Sequence, residues 1–390
     1  MNILYISNKP IYPKIDGGCV AMHNFLSCLL ETKVNIKHFS VSTLKHQFNI
    51  DAYPESIQNK ITPEELFVDT RVNIKSAIKN IFTNGSYNIK RFYSEDINNS
   101  LKEHLQNNIY DKIILETIFL TDYLKTFRNY SNAKIFVRSH NVEFKIWEKL
   151  ASNEKKKLKK SYLSKLAKDL KKVEIKFLNN VDHILTLSKE DQEDLKKLKI
   201  QTEIDTIPVA ISLPENVKNY ENQNFFHIGA MNWKPNIEAV QILKNSIFPS
   251  IQKNIKNVSL TLAGSFMEKE ENTNGLIHKG FIENINDFFS EEGILLSPIL
   301  SGSGVRIKIL ESMASGTPVI TTILGAEGIS ITSGKEILIA KNEKEFVEFA
   351  VHLSKSKEAR EKIGQQARLF IAEQHNKENI IKQLSELLGK

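Results

Sequence analysis

The sequence predicts an α/β protein of two doubly wound domains that face each other across a cleft. Residues 2–30 read as a short apolar strand, a glycine-bearing turn and a helix, which is how a parallel sheet of this type begins. Residues 207–224 are polar and lack hydrophobic periodicity, as is typical of a linker. The same order of strand, glycine and helix starts again at residue 225, so a second domain of the same kind is expected.

The length and composition of the chain suit two soluble domains. A chain of 390 residues exceeds one ordinary hydrophobic core, and 41% hydrophobic with 25% charged residues argues against disorder. Cys19 and Cys28 are too few for a disulfide framework and lack metal-ligand spacing. No apolar run reaches membrane-spanning length, and the opening residues read as a buried strand rather than a signal peptide. We therefore expect a cytoplasmic protein.

The net charge of +7 is unevenly distributed along the chain. Residues 154–176 hold ten lysines and three acidic residues, whereas residues 71–94 hold basic residues and no acidic one. No zinc finger, helix-turn-helix pattern or aromatic-rich signature accompanies them, so we expect no nucleic-acid partner. A basic amphipathic helix predicted over residues 71–82 suits the anionic inner face of the plasma membrane, or it turns its lysines to water. Both interpretations stay open.

The first domain is predicted over residues 1–206, and a C-terminal helix over residues 375–390 is expected to complete it. Ser188, with Asp191 three residues further on, predicts a helix cap. Residues 41–110 show no clear pattern beyond the basic helix. The other predicted elements are strands over residues 2–7, 34–39, 111–116, 134–138 and 181–187, a helix over 20–30, and one long helix that ends near residue 177.

The predicted linker covers residues 207–223, and the second domain covers residues 224–374. Its helices are predicted from about residue 236 and from residue 345 onward, with a last helix over residues 377–388 that returns to the first domain. Its predicted strands cover residues 225–228, 258–263, 276–278, 293–296, 318–320 and 337–340.

A small-residue loop that runs into a helix marks the strongest candidate site. Residues 301–304 read Ser-Gly-Ser-Gly and follow a predicted strand, and a helix begins shortly after them. Backbone N–H groups at such a helix start suit a phosphate. Arg306 and Lys308 add positive charge where the helix dipole disfavours it, which indicates an anionic ligand. The alternative is a surface ion pair between Lys308 and Glu311 that contributes only tenths of a kcal/mol.

Two further positions are candidates because of where they fall on predicted strands. Gly17 and Gly18 permit close approach of a ligand to a helix start, although a plain tight turn explains them equally well. His140 follows a predicted parallel strand, at the edge where such sheets bind ligands. A lone histidine is more often a satisfied polar residue than a catalyst.

The segment GSGVRIKILESMASGTPVI, with GAEGI shortly after it, closely resembles the nucleotide-sugar motif of glycosyltransferase family 4. This is a retaining family with the GT-B fold, in which two Rossmann-like domains face each other across a cleft. Other stretches are similar to elements of the same family, and the likeness is strongest over residues 225–329. They are PKIDGG at residues 13–18, RSHNVE at 138–143, GAMNWKPN at 229–236 and GFI at 280–282.

The resemblance assigns expected roles to the main motif. Glu311 would hold the donor ribose, while Arg306, Lys308 and the backbone near Gly304 would face the diphosphate. Ser303 stands where many members carry a glutamate that faces the donor sugar. The identity of the sugar is therefore not implied.

The same resemblance implies contacts from the other stretches. His140 would line the site near the reacting sugar and act as a catalytic residue together with Arg306 and Lys308. The remaining positions are expected to bind the nucleotide sugar: Gly17, Gly18, Gly229 and Lys234 at its phosphates, and Phe281 and Ile282 beside its base.

The predicted activity is transfer of a hexosyl-type sugar from a nucleotide-diphosphate sugar to an acceptor hydroxyl, with retention, in surface polysaccharide or glycolipid assembly. No Asp-x-Asp occurs in the sequence, so we expect no metal and no cofactor. The expected partners are the donor, a glycan or lipid-linked acceptor and an anionic membrane surface. Two alternatives are a nucleotide-sugar epimerase on the same fold and a non-catalytic GT-B partner subunit, which Ser303 leaves open.

Overall fold

The computed structural model describes residues 1–71, 85–215, 218–268 and 271–389. Apart from Arg71, the basic helix predicted over residues 71–82 lies outside these ranges. Contacts divide the chain into two compact units. The first unit comprises residues 1–14, 22–208 and 383–390, and the second comprises residues 15–21 and 209–382.

The first unit is built on a seven-stranded sheet in which every paired strand is parallel. Its strand order is β3-β2-β1-β4-β5-β6-β7, with the two short strands β3 and β7 at the edges. The strands are β1 (Asn2–Ser7), β2 (Asn35–Ser42), β3 (Glu64–Phe67), β4 (Lys112–Glu116), β5 (Lys134–Ser139), β6 (His183–Thr186) and β7 (Glu203–Thr206).

Helices connect these strands and cover the sheet, with 3-10 turns at Ile50–Ala52 and Ile118–Tyr123. The side chain of Ser188 caps the helix Lys189–Lys197 by accepting a hydrogen bond from the N–H of Asp191 at 3.0 Å, which confirms the predicted cap. The helices are α1 (Gly17–Glu31), α2 (Glu55–Ile61), α3 (Tyr87–Lys90), α4 (Glu95–Asn107), α5 (Leu124–Tyr130), α6 (Glu143–Asn153), α7 (Lys157–Leu178) and α8 (Lys189–Lys197).

The single long helix predicted to end near residue 177 is in fact two helices, α6 and α7. Glu154 interrupts it, since its carboxylate accepts a hydrogen bond from the N–H of Lys156 at 3.0 Å and draws the chain out of helical geometry. At the start of α6, the N–H groups of Glu143 and Phe144 donate hydrogen bonds to the side chain of Glu174 in α7, at 3.0 and 2.9 Å. The carboxylate of α7 thus caps the start of α6, a long-range contact that periodicity does not reveal.

The second unit is built on a six-stranded parallel sheet with the order β10-β9-β8-β11-β12-β13. These two parallel sheets with their helices confirm the predicted pair of Rossmann-like α/β units. The strands of the second sheet are β8 (Phe225–Ile228), β9 (Leu260–Ala263), β10 (Leu276–Gly280), β11 (Ile294–Ser297), β12 (Val319–Thr322) and β13 (Leu338–Ala340).

The helices of the second half of the chain include one π-helical turn, Leu243–Ile247, between two α-helices. The last helix begins in the second unit, and residues 383–390 at its end are counted with the first. The helices are α9 (Lys234–Ile242), α10 (Phe248–Asn254), α11 (Ile285–Glu291), α12 (Ile307–Ala314), α13 (Glu343–Lys355), α14 (Lys357–Gln374) and α15 (Lys377–Gly389).

The predicted linker is fixed to the second unit over much of its length. Arg368 of α14 donates to the carbonyl of Pro214 at 2.6 Å, and Arg360 donates to the carbonyl of Tyr220 at 2.7 Å. The buried amine of Lys218 donates to the carbonyls of Phe289 and Glu292. Residues 209–215 and 218–223 therefore belong to the second unit, because side-chain donors satisfy carbonyls that a polar sequence seemed to leave to water.

Gly264 brings the loop after β9 against the loop after β8. Its φ is +139°, and a Cβ placed there would lie 1.8 Å from the carbonyl oxygen of Gly229. No side chain fits at that distance without movement of the backbone. The two loops that follow neighbouring strands are thereby held in contact.

We expect Gly264→Ala to lower the free energy of unfolding of the second unit by about 3 kcal/mol or more, because backbone strain and overlap add. Gly334→Ala is the matched control, since its φ is also positive at +86° and a Cβ there meets nothing within 4 Å. That control should cost about 1–2 kcal/mol. Urea denaturation of both variants measures the difference, and equal losses would show that the loop contact is not tight.

Candidate anion site and histidine cluster

The loop between β11 and α12 turns sharply at two glycines. Gly302 and Gly304 have φ values of +88° and +84°, in the left-handed region that favours glycine. Arg306 is the extended residue at the start of α12, and its own side chain makes no cap hydrogen bond. The backbone N–H groups of such a first turn suit an anion, and their predicted role stays a prediction.

Arg306 is buried beside this turn with part of its guanidinium unpaired. It is 4% exposed, its Nη1 donates to the carbonyl of Ser303, and its guanidinium carbon lies 5.4 Å from the Trp233 ring. Within the described ranges, its Nε and Nη2 atoms are buried and have no hydrogen-bond partner. The Oγ of Ser303 is buried and unpaired as well. Buried donors without partners are costly, so this arrangement indicates a place for an acceptor.

The amine of Lys308, in the first turn of the same helix, donates hydrogen bonds to acceptors of the protein itself. It donates to the carbonyl of Ile228 at 2.9 Å and to Oδ1 of Asn236 at 2.8 Å, and it lies 3.4 Å from Nε2 of His227. The other ring nitrogen of His227, Nδ1, donates to the carbonyl of Leu296 at 2.7 Å, so Nε2 is the acceptor of a neutral imidazole. The predicted surface pair of Lys308 with Glu311 is not formed, because the amine points inward.

Burial shifts the pKa values of both cations downward. Burial lowers the pKa of Arg306 to about 10, and Glu327 opposes this shift in part. Burial and the neighbouring charge of Arg306 lower the pKa of Lys308 to about 7. Burial, followed by the charge of Lys308, holds the pKa of His227 well below its ordinary value, which agrees with a neutral ring. Two basic side chains are therefore buried close together, and neither forms an ion pair with a residue that the structure describes.

Gly229 and Asn236 determine the conformation of the loop after β8. A Cβ on Gly229 would lie 2.4 Å from Nδ2 of Asn236, so only glycine leaves room for that amide. The amide in turn donates to the carbonyl of Ala230 at 3.0 Å and accepts from Lys308. Lys234 lies outside this arrangement: its side chain is 75% exposed and pairs with Glu238 at 3.3 Å. Its predicted phosphate contact stays a prediction.

The other positions predicted to bind the nucleotide sugar lie near the carboxyl ends of strands in the second unit, or at its segment 15–21. Phe281 directly follows β10 and is 65% exposed, and Ile282 next to it is half-buried. Glu311 lies on α12 and is half-buried. A Cβ on Gly17 would contact Ile307, the first residue of α12, at 3.4 Å, and Gly18 is the next residue of α1. The roles predicted for these residues stay predictions.

In the first unit His140 belongs to a buried cluster at the carboxyl end of the sheet. Glu116 ends β4 and is fully buried, and its carboxylate accepts hydrogen bonds from the hydroxyl of Tyr5, from Nε2 of His140 and from Arg138. The Nη1 atom of Arg138 lies 3.0 and 3.2 Å from the two carboxylate oxygens. The guanidinium of Arg138 also lies 4.3 Å from the ring centre of Phe25.

The charges of this cluster compensate one another. Burial alone would raise the pKa of Glu116, but Arg138 and His140 outweigh burial and lower it to about 2. Burial lowers the pKa of His140, although the Glu116 carboxylate opposes that shift. The cluster therefore holds an ionised carboxylate, a guanidinium and a neutral imidazole at neutral pH.

One trio of metal-binding residue types occurs in the described part of the chain, at β6 and β7. Nε2 of His183 lies 2.9 Å from Asp205, and its Nδ1 lies 3.8 Å from Glu203. The two carboxylates thus face different nitrogens of one ring. This arrangement suits one hydrogen bond, to Asp205, and a longer charge contact with Glu203 better than ligands converging on one ion.

Sequence analysis did not single out several residues of these clusters, among them Glu116, Trp233, Asn236 and His227. Glu116 could have been found, because a carboxylate that ends an otherwise apolar strand is unusual. Arg138, in the next strand, carries the opposite charge at a matching position in the register. Asn236 and His227 carry no such signal, since their roles arise from contacts with Lys308, 72 and 81 residues away.

Lys308→Met should change how stability depends on pH. Because the pKa of Lys308 is lowered to about 7 from its ordinary 10.5, the unfolded chain binds more protons between these values. The contribution of Lys308 to stability therefore rises with pH between about 7 and 10.5. Relative to the variant, wild-type stability should rise by up to about 1.4 kcal/mol per pH unit in this window. Urea denaturation at pH 7, 8 and 9 measures this difference, and a constant difference would contradict the buried amine.

Part of the second unit is similar to a known family. Residues 222–356 match the family model of Glycosyl transferases group 1. A protein of Klebsiella pneumoniae described as an uncharacterized 44.6 kDa protein in the cps region is 23% identical over 393 residues, which cover 97% of each chain. No helix of the described residues has the length and apolar character needed to cross a membrane.

Solved structures share the whole architecture. Sucrose-phosphate synthase of Thermosynechococcus elongatus is 13% identical with a TM-score of 0.70, and the match covers 99% of this chain and 98% of that one. TarM of S. aureus, in a complex that includes UDP, is 13% identical with a TM-score of 0.68. HepE of Anabaena in complex with UDP is 11% identical with a TM-score of 0.68, and both of these matches cover 100% of each chain. The chain therefore has the GT-B fold, and the fold and the matching domain together support a GT-B glycosyltransferase.

Proposed function

We propose that the protein transfers a sugar from a nucleotide-diphosphate sugar to an acceptor hydroxyl, with retention of configuration, in the assembly of a polysaccharide or glycolipid. The domain over residues 222–356 supports the reaction class, and the cps-region relative supports the setting. Retention and hexosyl transfer come from the resemblance to glycosyltransferase family 4.

The observation that carries this proposal is the unpaired edge of the Arg306 guanidinium. Nε and Nη2 form one edge of the planar group, and two parallel N–H donors of this kind match two oxygens of a phosphate. Both atoms are buried and unpaired within the described ranges, and Arg306 directly precedes the start of α12. A diphosphate would satisfy these donors and the helix start together.

Lys308 has a different role in this proposal. Because its amine already donates to Ile228 and Asn236, it acts mainly through its charge and by holding the loop after β8. Charge placed beforehand stabilises a leaving diphosphate as negative charge develops on it. Arg306 and Lys308 would thus replace the metal ion that other transferases use, and we propose a metal-independent reaction without a cofactor.

The donor is proposed to be a uridine diphosphate sugar, because the structures of TarM and HepE carry UDP. Phe281 lies exposed beyond β10, where the resemblance places the base, and Glu311 would hold the ribose. Ser303 offers a hydroxyl to the sugar rather than a carboxylate. His140 would contact the sugar that is transferred.

We expect Arg306→Ala to weaken transfer by about 2–4 kcal/mol, the scale for loss of one charge-stabilising group. Lys308→Ala should act similarly, whereas Glu311→Gln should mainly weaken binding of UDP. Lys362→Ala is the control, since this lysine is exposed on α14 of the same unit. Calorimetric titration with UDP and a transfer assay with a panel of uridine diphosphate sugars, each with and without EDTA, measure these effects.

Three outcomes would overturn parts of this proposal. Unchanged UDP affinity in all three variants would show that the α12 motif is structural. Loss of activity with EDTA, restored by manganese or magnesium, would overturn metal independence. Formation of an epimerised sugar without any acceptor, or no turnover of any donor, would favour the epimerase or the partner subunit instead.

We also propose that the first unit contacts an anionic membrane surface through the start of α7. Leu158 is 90% exposed, and the neighbouring residues at positions 155–157, 159 and 160 are exposed lysines. Later apolar residues of this helix, such as Leu166 and Leu170, are buried, so only its first turns offer an apolar side chain among charges. The basic segment over residues 71–93, mostly outside the described ranges, stays a second prediction for the same surface.

Leu158→Ser combined with Lys156→Glu and Lys157→Glu should abolish sedimentation with anionic vesicles. Each lysine near such a surface contributes about 1 kcal/mol, and salt screens this attraction. The wild-type protein should bind vesicles containing phosphatidylserine at low salt and release them at high salt, while neutral vesicles should not bind. Lys362→Glu serves as the control. Recovery of the wild-type protein in the supernatant under all conditions would exclude the membrane surface.

A further inference from the structure

The hydrogen bond between Glu116 and His140 joins the end of strand β4 to the residue directly after the neighbouring strand β5. Glu116 is the last residue of β4, and His140 comes directly after β5. The carboxylate is fully buried, whereas the His140 side chain is 13% exposed. The imidazole thus has one nitrogen directed into the protein, and the ring reaches the surface at the carboxyl edge of the sheet.

The partners of the carboxylate decide which nitrogen of His140 carries the proton. Tyr5 and Arg138 both donate to Glu116, which leaves an ionised acceptor with no proton to give. Nε2 of His140 must therefore be the donor in its bond to Oε2 of Glu116. Arg138 also lies 3.4 Å from Nε2 and could donate to it only in the opposite tautomer. That tautomer would leave no proton between Nε2 and the Glu116 carboxylate, which is the much closer neighbour, so the contact with Glu116 decides.

The other nitrogen, Nδ1, is then the functional atom. It makes no hydrogen bond to any described residue, and it is not one of the buried unpaired atoms. Burial keeps the ring neutral against the opposing charge of Glu116, while Arg138 and Lys9 also disfavour its protonation. A neutral ring with hydrogen on Nε2 presents a lone pair at Nδ1, which accepts from a hydroxyl and cannot donate to a phosphate.

We propose that Glu116 is a positioning residue that fixes His140 in its Nε2–H tautomer, so that Nδ1 accepts a hydrogen bond from a hydroxyl of the transferred sugar. The identity of this hydroxyl rests on the proposed function, whereas the tautomer does not. The alternative is that Glu116 and Arg138 form a structural ion pair that His140 contacts, without any effect of Glu116 on the tautomer of His140.

The tautomer is measured directly on the wild-type protein by NMR of nitrogen-labelled histidine, with the His140 signal assigned by its loss in His140→Gln. We expect hydrogen on Nε2 and a bare Nδ1 at pH 7. Hydrogen on Nδ1, or a doubly protonated ring at that pH, would overturn the proposal. This measurement requires no activity, so its failure is distinct from failure of the proposed function, which would appear as absence of transfer with every donor.

Glu116→Gln tests the consequence. An amide can offer its NH₂ to Nε2, so the preferred tautomer should be lost and the pKa of His140 should fall. We expect kcat to drop by at least about tenfold while the affinity for UDP stays within about twofold. Asp182→Asn is the control, because it removes the 2.8 Å ion pair with Arg128 in the same unit, away from the cluster.

The variant removes the negative charge that faces the buried guanidinium of Arg138, and this loss could prevent folding. The double variant Glu116→Gln with Arg138→Met removes both charges at similar volume and should show the same shift in tautomer and kcat. If a folded variant keeps both the Nε2–H tautomer and the wild-type kcat, Glu116 is only structural and the proposal is wrong.

Discussion

Two buried cations that form no ion pair within the described residues determine the local structure of the candidate anion site. A buried charge is tolerated where hydrogen bonds surround it, and here oxygen dipoles do so. The carbonyl of Ser303 accepts from Arg306, while the carbonyl of Ile228 and the amide of Asn236 accept from Lys308. The loops after β8 and β11 therefore both take their shapes around these side chains. Gly229 is required because that amide occupies the space of a side chain.

In the first unit, by contrast, the buried charges form an ion pair. Glu116 and Arg138 neutralise each other in full burial, and the hydroxyl of Tyr5 and a ring nitrogen of His140 complete the shell of the carboxylate. A buried network of this kind is rigid, since Glu116 loses a partner if any other member moves. In the proposed tautomer, His140 is a fixed hydrogen-bond acceptor. The second unit instead holds buried donors on Arg306 that have no partner within the described residues.

Sequence patterns predicted the two parallel sheets because strands buried on both faces are nearly continuous runs of apolar residues. The short edge strands β3 and β7 were missed, since Glu64–Phe67 and Glu203–Thr206 carry exposed charged residues. The break between α6 and α7 was missed because the caps from Glu154 and Glu174 are not periodic features. For the candidate site, the α12 motif indicated Arg306 and Lys308. Their different hydrogen-bonding states depend on Ile228 and Asn236, which the motif does not contain.

That difference between Arg306 and Lys308 bears on how such a site can favour a transition state. A cation that must reorient toward developing charge loses part of its benefit to reorganisation, whereas a cation already held in place does not. Lys308 is held by three protein acceptors, so the position of its amine is fixed before any ligand arrives. Arg306 is anchored through one nitrogen and keeps a second edge for direct contact. One residue of the turn is thus anchored, and the other keeps donors for the ligand. The electrostatic repulsion between the two buried cations is relieved most by the anion with the largest negative charge.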